Sequence, residues 1–292
     1  MSKNIVYKYL FFFLISFIPV FSSAYEPFLT DDASTVKKGK HQFDFYYYNI
    51  FNRGGSNTCD GSNTCAGIID INVPGEEFLA PDRAIGFPLG YTYGFNDHTE
   101  ISFGMTYYGF PTGGFSPLTN YTLGAKYRFY NDEDSGIGLA IKPSFYFPNG
   151  TDHQTAGLGM SLPGYGVNLI GAYDKKDYSI LVNFAYQHQP YNTNYSVAGT
   201  YGELRTELFQ LSVAPIWNIS ERLHLGLDIG LVTDITPTDN KRYNSYIMPA
   251  VTYSPTEDID FGISYLRVAQ NFRDQVGTGY SSIFKLGVSY RF

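Results

Sequence analysis

Gly279-Tyr280-Ser281-Ser282-Ile283-Phe284-Lys285-Leu286-Gly287-Val288-Ser289-Tyr290-Arg291-Phe292 closes the chain. Taken two at a time, it separates into Tyr280, Ser282, Phe284, Leu286, Val288, Tyr290 and Phe292 on one side. Ser281, Ile283, Lys285, Gly287, Ser289 and Arg291 fall on the other. Side chains of an extended strand point alternately to opposite faces. The stretch therefore reads as a strand with one apolar, aromatic face and one mostly small or charged face. Such an apolar face is covered either by a protein core or by lipid, and the rest of the chain decides which.

The same alternation recurs upstream. Ile85, Phe87, Leu89, Tyr91, Tyr93 and Phe95 alternate with Gly86, Pro88, Gly90, Thr92 and Gly94, and Leu223, Leu225, Leu227, Ile229 and Leu231 alternate with His224, Gly226, Asp228 and Gly230. Aromatic residues make up 18% of the chain, with 27 Tyr and 24 Phe, and no stretch shows a 3.6-residue period, so the class is all-β. About twelve strands are predicted, over 40–51, 82–95, 99–110, 120–130, 136–147, 158–173, 178–188, 203–219, 223–233, 244–254, 259–268 and 279–292.

The connections are of two kinds. Asn96–His98, Asn131–Ser135, Asp174–Asp177, Ser220–Arg222 and Pro255–Asp258 are short polar turns. The segments 52–81, 111–119, 148–157, 189–202, 234–243 and 269–278 are longer loops. Short and long connections alternate, so all the turns gather at one end and all the loops at the other. This is the arrangement of a transmembrane antiparallel up-and-down β-barrel in the outer membrane, with short periplasmic turns and long extracellular loops. Closure leaves no backbone edge facing lipid. Aromatics beside the turns, among them Phe95, Tyr127, Phe129, Trp217, Tyr253, Tyr290 and Phe292, suit a girdle at headgroup level. A soluble β-sandwich would need a more strongly charged polar face than this chain has.

The opening residues fit export. Lys3 and Lys8, the apolar run Leu10–Phe21 and the small residues Ser22-Ser23-Ala24 read as a signal peptide over 1–24, with cleavage after Ala24. Residues 25–38 would then form a periplasmic segment and 39–292 the barrel. Losing Lys3 and Lys8 takes the formal charge from −7 to −9, which argues against nucleic acid as a partner.

Pro27-Phe28-Leu29-Thr30-Asp31-Asp32-Ala33-Ser34-Thr35, followed by Gly39 and Gln42, resembles the start of the bacterial family named for the MetA pathway of phenol degradation. Leu123–Phe129, Lys142-Pro143-Ser144 and Phe147–Gly150 are also similar to that family. Its members are often described as outer-membrane transporters. The resemblance implies a barrel of that kind and leaves the substrate open. A terminal Phe292 after alternating apolar residues also resembles the signal by which barrel-assembly machinery recognises its clients, so that machinery and outer-membrane lipid are the expected partners.

Charged residues with inward parity include Asp44, Glu100, Lys126, Arg128, Lys142, Asp228, Asp260, Lys285 and Arg291. Buried charges are costly unless paired or wet, so Lys126, Arg128, Lys142, Asp228 and Lys285 are candidates for a lumen constriction. Counted from the turns, Lys142, Asp228 and Lys285 lie nearest mid-depth. Thr30-Asp31-Asp32 reads as a side-chain-ordered turn in preference to a cation site, and the segment around it is expected to fold back at the periplasmic mouth. Cys59 and Cys65, in an exported chain, predict a disulfide across a loop.

Neither a cofactor nor a metal is expected. No G-x-S-x-G, H-E-x-x-H or P-loop occurs, so an enzyme is not expected either. His188 with Asn183 and Ser179 is the nearest approach to a lipid hydrolase. The leading function is a channel for small, aromatic or hydrophobic molecules; the alternatives are a non-conducting interaction barrel and that hydrolase.

Overall fold

The computed structural model describes residues 27–53, 83–110, 112–156, 158–195, 206–234, 243–270 and 280–292. The expected signal sequence and the expected Cys59–Cys65 disulfide lie outside the described residues. The first six strands are β1 (His41–Arg53), β2 (Arg83–Asn96), β3 (Thr99–Phe110), β4 (Leu118–Asp132), β5 (Ile137–Tyr146) and β6 (Gly164–Asp174). Then come β7 (Tyr178–His188), β8 (Glu207–Asn218), β9 (Leu223–Asp234), β10 (Tyr243–Thr256), β11 (Ile259–Gln270) and β12 (Tyr280–Arg291). Among the described residues one short helix, α1 (Thr151–Ala156), lies between β5 and β6.

Each strand pairs antiparallel with its chain neighbours, and β1 pairs with β12, so the sheet is a closed twelve-strand barrel. At the seam Tyr46 lies opposite Gly287 and Phe43 opposite Tyr290. His41 and Phe292 exchange backbone hydrogen bonds of 2.9 and 3.0 Å. Both ends of the barrel sequence therefore sit at the short-turn end.

The alternation in sequence becomes two walls. On β12, Leu286, Tyr290 and Phe292 are exposed outside while Lys285 and Ser289 are buried inside. The outer wall presents large apolar side chains around the whole circumference, including Phe45, Phe103, Leu169, Leu211, Ile229 and Phe261. Soluble proteins rarely leave more than a few hundred Å² of contiguous apolar surface in water. An apolar band of this extent is stable against hydrocarbon, as in transmembrane barrels. No helix among the described residues is long and apolar enough to cross a membrane.

The long-loop end departs from the expected strand limits. β6 begins at Gly164 rather than near 158, and β8 at Glu207 rather than near 203. Residues 158–163 instead form a packed loop in which Leu158 is fully buried, and α1 lies within the expected loop 148–157. Gln154 holds this cap together. Its Nε2 donates to the Asn192 and Tyr195 carbonyls at 2.8 and 3.0 Å, and its Oε1 accepts from Ser161 Oγ at 2.6 Å. A six-residue helix has no stability of its own, and these tertiary bonds account for it.

Candidate functional site: the lumen and the segment inside it

The chain before β1 runs inside the barrel. At the short-turn rim Gly39, with φ of 74°, makes the turn, and its N–H donates to the Gly94 carbonyl at 2.7 Å. Beyond it Phe28, Thr30, Asp32, Ala33, Thr35 and Val36 are all buried.

The contacts pass around the wall. Val36 N–H donates to Glu100 Oε2 on β3 at 2.7 Å, and Thr35 Oγ1 to the Asp97 carbonyl of the β2–β3 turn at 3.1 Å. Ala33 packs over Gly138 on β5. Asp31 lies 3.2 Å from Lys126 Nζ on β4 and 2.7 Å from Lys142 Nζ on β5. Lys126 also meets Glu100 at 3.2 Å and donates to the Asp32 carbonyl at 2.9 Å.

On the far side, Asp228 of β9 accepts the backbone N–H groups of Leu29 and Thr30, both at 2.8 Å, on one carboxylate oxygen. Its other oxygen accepts from Thr30 Oγ1 at 2.8 Å and from Tyr246 Oη at 3.0 Å. The Phe28 ring fills the hollow over Gly226, where a Cβ would collide with it. Pro27 packs on Gly262 of β11. Pro27 to Val36 can span at most about 35 Å, and with that length the segment touches the wall from the β2–β3 turn round to β11. It is a collar across the short-turn half of the lumen.

Electrostatics explains the fit. Asp228 has no exposure to solvent, and a buried carboxylate needs donors; the segment supplies most of them. Burial alone would raise the pKa of Asp31, but the two lysines outweigh it and hold the carboxyl well below the ordinary range. Burial, with Asp174 adding to it, pushes Asp32 up to about 6 against the opposing pull of Lys126 and Ser34. Adjacent residues thus have opposite preferences for a proton.

Of the five constriction candidates, Lys126, Lys142 and Asp228 converge on the segment. Arg128 does not: its Nη2 donates to the Asp97 carbonyl at the rim, at 2.8 Å. Lys285 is buried on β12 with its ammonium 4.6 Å from the centre of the Tyr48 ring. Arg291 pairs with Asp260, and Asp44 accepts from Gln42 at 3.0 Å. Asp32 also makes a local turn, accepting from Ser34 N–H at 3.1 Å. Toward the long-loop end the lumen is lined by neutral amides and hydroxyls, including Asn168, Asn183, Gln187, Gln210, Ser264 and Ser282.

Ser179 and Asn183 face the lumen, whereas His188 lies on the outer wall. There His188 Nδ1 and Tyr186 Oη both meet the Glu207 carboxylate. The three residues suggested for a hydrolase site are therefore on opposite faces of the sheet and do not assemble. His153 Nε2 lies 2.7 Å from the Ser116 carbonyl, and His224 Nδ1 2.8 Å from Asn218. Among the described residues no group of three His, Cys, Asp or Glu could hold a metal ion.

Parity in the sequence identifies the wall charges but misses Glu100 as an anchor for the segment, and it misses Gln154 altogether. The Thr30 contact with Asp228 joins residues 198 positions apart. The available signal was an acidic, Thr-containing stretch beside inward lysines.

The fold is a closed twelve-strand antiparallel barrel with an apolar outer wall and a polar lumen. Solved structures with this architecture include an outer-membrane channel from Pseudomonas putida F1, 13% identical, with a TM-score of 0.60 over 89% of this chain and 98% of that one. The NanC porin is 12% identical, with a TM-score of 0.52 over 84% and 98%. The CymD monoaromatic hydrocarbon channel is 6% identical, with a TM-score of 0.50 over 88% and 89%. At these identities the likeness is one of fold. No protein-family model matches the chain, and no curated protein does either.

Proposed function

We propose that this protein is an outer-membrane channel for small molecules, narrowed at its periplasmic half by its own residues 27–38. One observation carries the reading: a closed barrel with an apolar outer wall contains a polar lumen crossed by a segment held by hydrogen bonds and ion pairs. Eight-stranded barrels are filled by side chains and those of sixteen strands leave open channels. Twelve strands give an intermediate lumen that one extended segment can occupy.

Lys126, Lys142 and Asp228 are the proposed constriction residues, since they grip the segment, with Arg128 and Lys285 lining the lumen at other points. The solutes proposed are aromatic or hydrophobic small molecules, for which the aromatic loop Pro190–Tyr195 offers an entry surface. The fold shared with CymD supports the channel reading but not the cargo. Export by a cleaved signal over 1–24 and assembly through Phe292 belong to the same proposal.

Reconstitution in planar bilayers, with uptake of aromatic and sugar solutes into liposomes, tests it. Discrete conductance steps and solute uptake are expected. A correctly folded barrel that stays silent and passes nothing would contradict the channel and favour an interaction barrel.

A further inference from the structure

We infer that Lys126 and Lys142 form a binding site for the carboxylate of a small organic acid, and that Asp31 occupies this site in cis as a stand-in. The inference deepens the channel reading by naming the solute class, and it rests on that reading only for the solute's route.

The site is built. Lys126 is 4% exposed and cannot turn to water, and Lys142 converges with it on a single carboxylate at 3.2 and 2.7 Å. Glu100 takes part of the charge of Lys126 at 3.2 Å. Lys142 reaches no other carboxylate in an ion pair among the described residues. Withdrawing Asp31 removes the ion-pair partner of Lys142 and leaves only the more distant Asp44 carboxylate acting on it among the described residues, and a poorly compensated charge in the lumen favours an anion that can replace the lost one.

The Asp31 side chain is chemically an acetate on a tether. Its backbone is held on either side by different groups, Asp228 at Leu29 and Thr30 and Glu100 at Val36. The carboxylate can therefore exchange without the whole segment leaving. Hydrophobic neutral solutes would gain nothing from the two lysines. A small acid would compete directly with Asp31, so solute binding and loosening of the collar are linked.

Binding of difluoroacetate, read by fluorine NMR on the detergent-solubilised full-length barrel, tests this independently of conduction, with difluoroethanol as the neutral control. Asp31→Ala should bind difluoroacetate about tenfold more tightly than the wild type, because the competing state is removed. Lys142→Met in the Asp31→Ala background should abolish that gain, and difluoroethanol should respond to neither change. Equal binding by the wild type and Asp31→Ala, or a gain that survives Lys142→Met, overturns the site.

If Asp31→Ala does not assemble, the wild type carries the test. Saturating acetate should shift the carbon-13 carboxyl resonance of Asp31 as it leaves the two lysines, and an unmoved resonance overturns the inference. Silent bilayers with binding intact would sink the channel but not the site; conduction without binding would sink the site alone.

Discussion

The two walls of the barrel are built on opposite principles. The outer wall uses many interchangeable residues: Leu211, Ile229, Leu231 and Phe184 are each exposed and contribute similarly. The lumen wall around the collar uses few residues, each with its own partner, such as Asp228 with Leu29, Thr30 and Tyr246. Against lipid only apolarity is required. Against a polypeptide in a confined lumen, every donor, acceptor and charge must be matched. Single substitutions should therefore have small effects outside and large, specific effects inside.

The largest effect is expected for Asp228→Ala. It removes the acceptor of two backbone N–H groups and two hydroxyls, and seating of the segment should weaken by roughly 3 to 5 kcal/mol, with the barrel still formed. Hydrogen exchange at residues 28–33 measures this, and protection equal to the wild type would refute the assignment.

Proton uptake by Asp32 comes next. Its carboxyl is held up to about 6 in the seated segment, so the seated state favours the protonated form. Seating is then strongest below the ordinary carboxylate value and weakens as pH rises through about 6. A rise of that size above the ordinary carboxylate value corresponds to roughly 3 kcal/mol at most. Asp31 has the opposite sign: its contribution is present above the ordinary value and is lost only in strong acid, outside this window. Asp174 on β6 and Lys126 on β4 are the charges set against Asp32. Protease protection of residues 27–36 should therefore be greater at pH 5 than at pH 7.5, and Asp32→Asn should flatten the difference.

Gly226→Val should cost about 1 to 3 kcal/mol in seating by driving the Phe28 ring from its hollow. It is checked by the same exchange measurement. The smallest effect belongs outside, where Leu211→Val should change barrel stability by less than about 0.5 kcal/mol in a urea titration of the reconstituted protein. A large loss there would mean that Leu211 meets a protein core instead of lipid.

The same contrast explains what could be read in the sequence. Period-two alternation survives in β2, β9 and β12 because lipid imposes one requirement on every outward position. A closed barrel of about twelve strands was therefore legible, though not the register of its seam. Lys126, Lys142 and Asp228 were legible as inward charges by parity alone. Their common partner was not, because Phe28 to Val36 has no period and its contacts reach strands far away in the chain. Parity also could not separate Lys285 or Arg128 from the three that converge, since it reports which face a residue is on and not which neighbour lies across the lumen. Helix α1 escaped for the same reason: Gln154 stabilises it through Asn192 and Tyr195, not through any local pattern.

The central claim is that a segment anchored by Asp31 and Asp228 restricts the lumen. Single-channel conductance of the Asp31→Ala/Asp228→Ala double variant in planar bilayers tests it most directly. The structure predicts a conductance several-fold above that of the wild type, with longer open times. Identical conductance in a correctly folded double variant would contradict it.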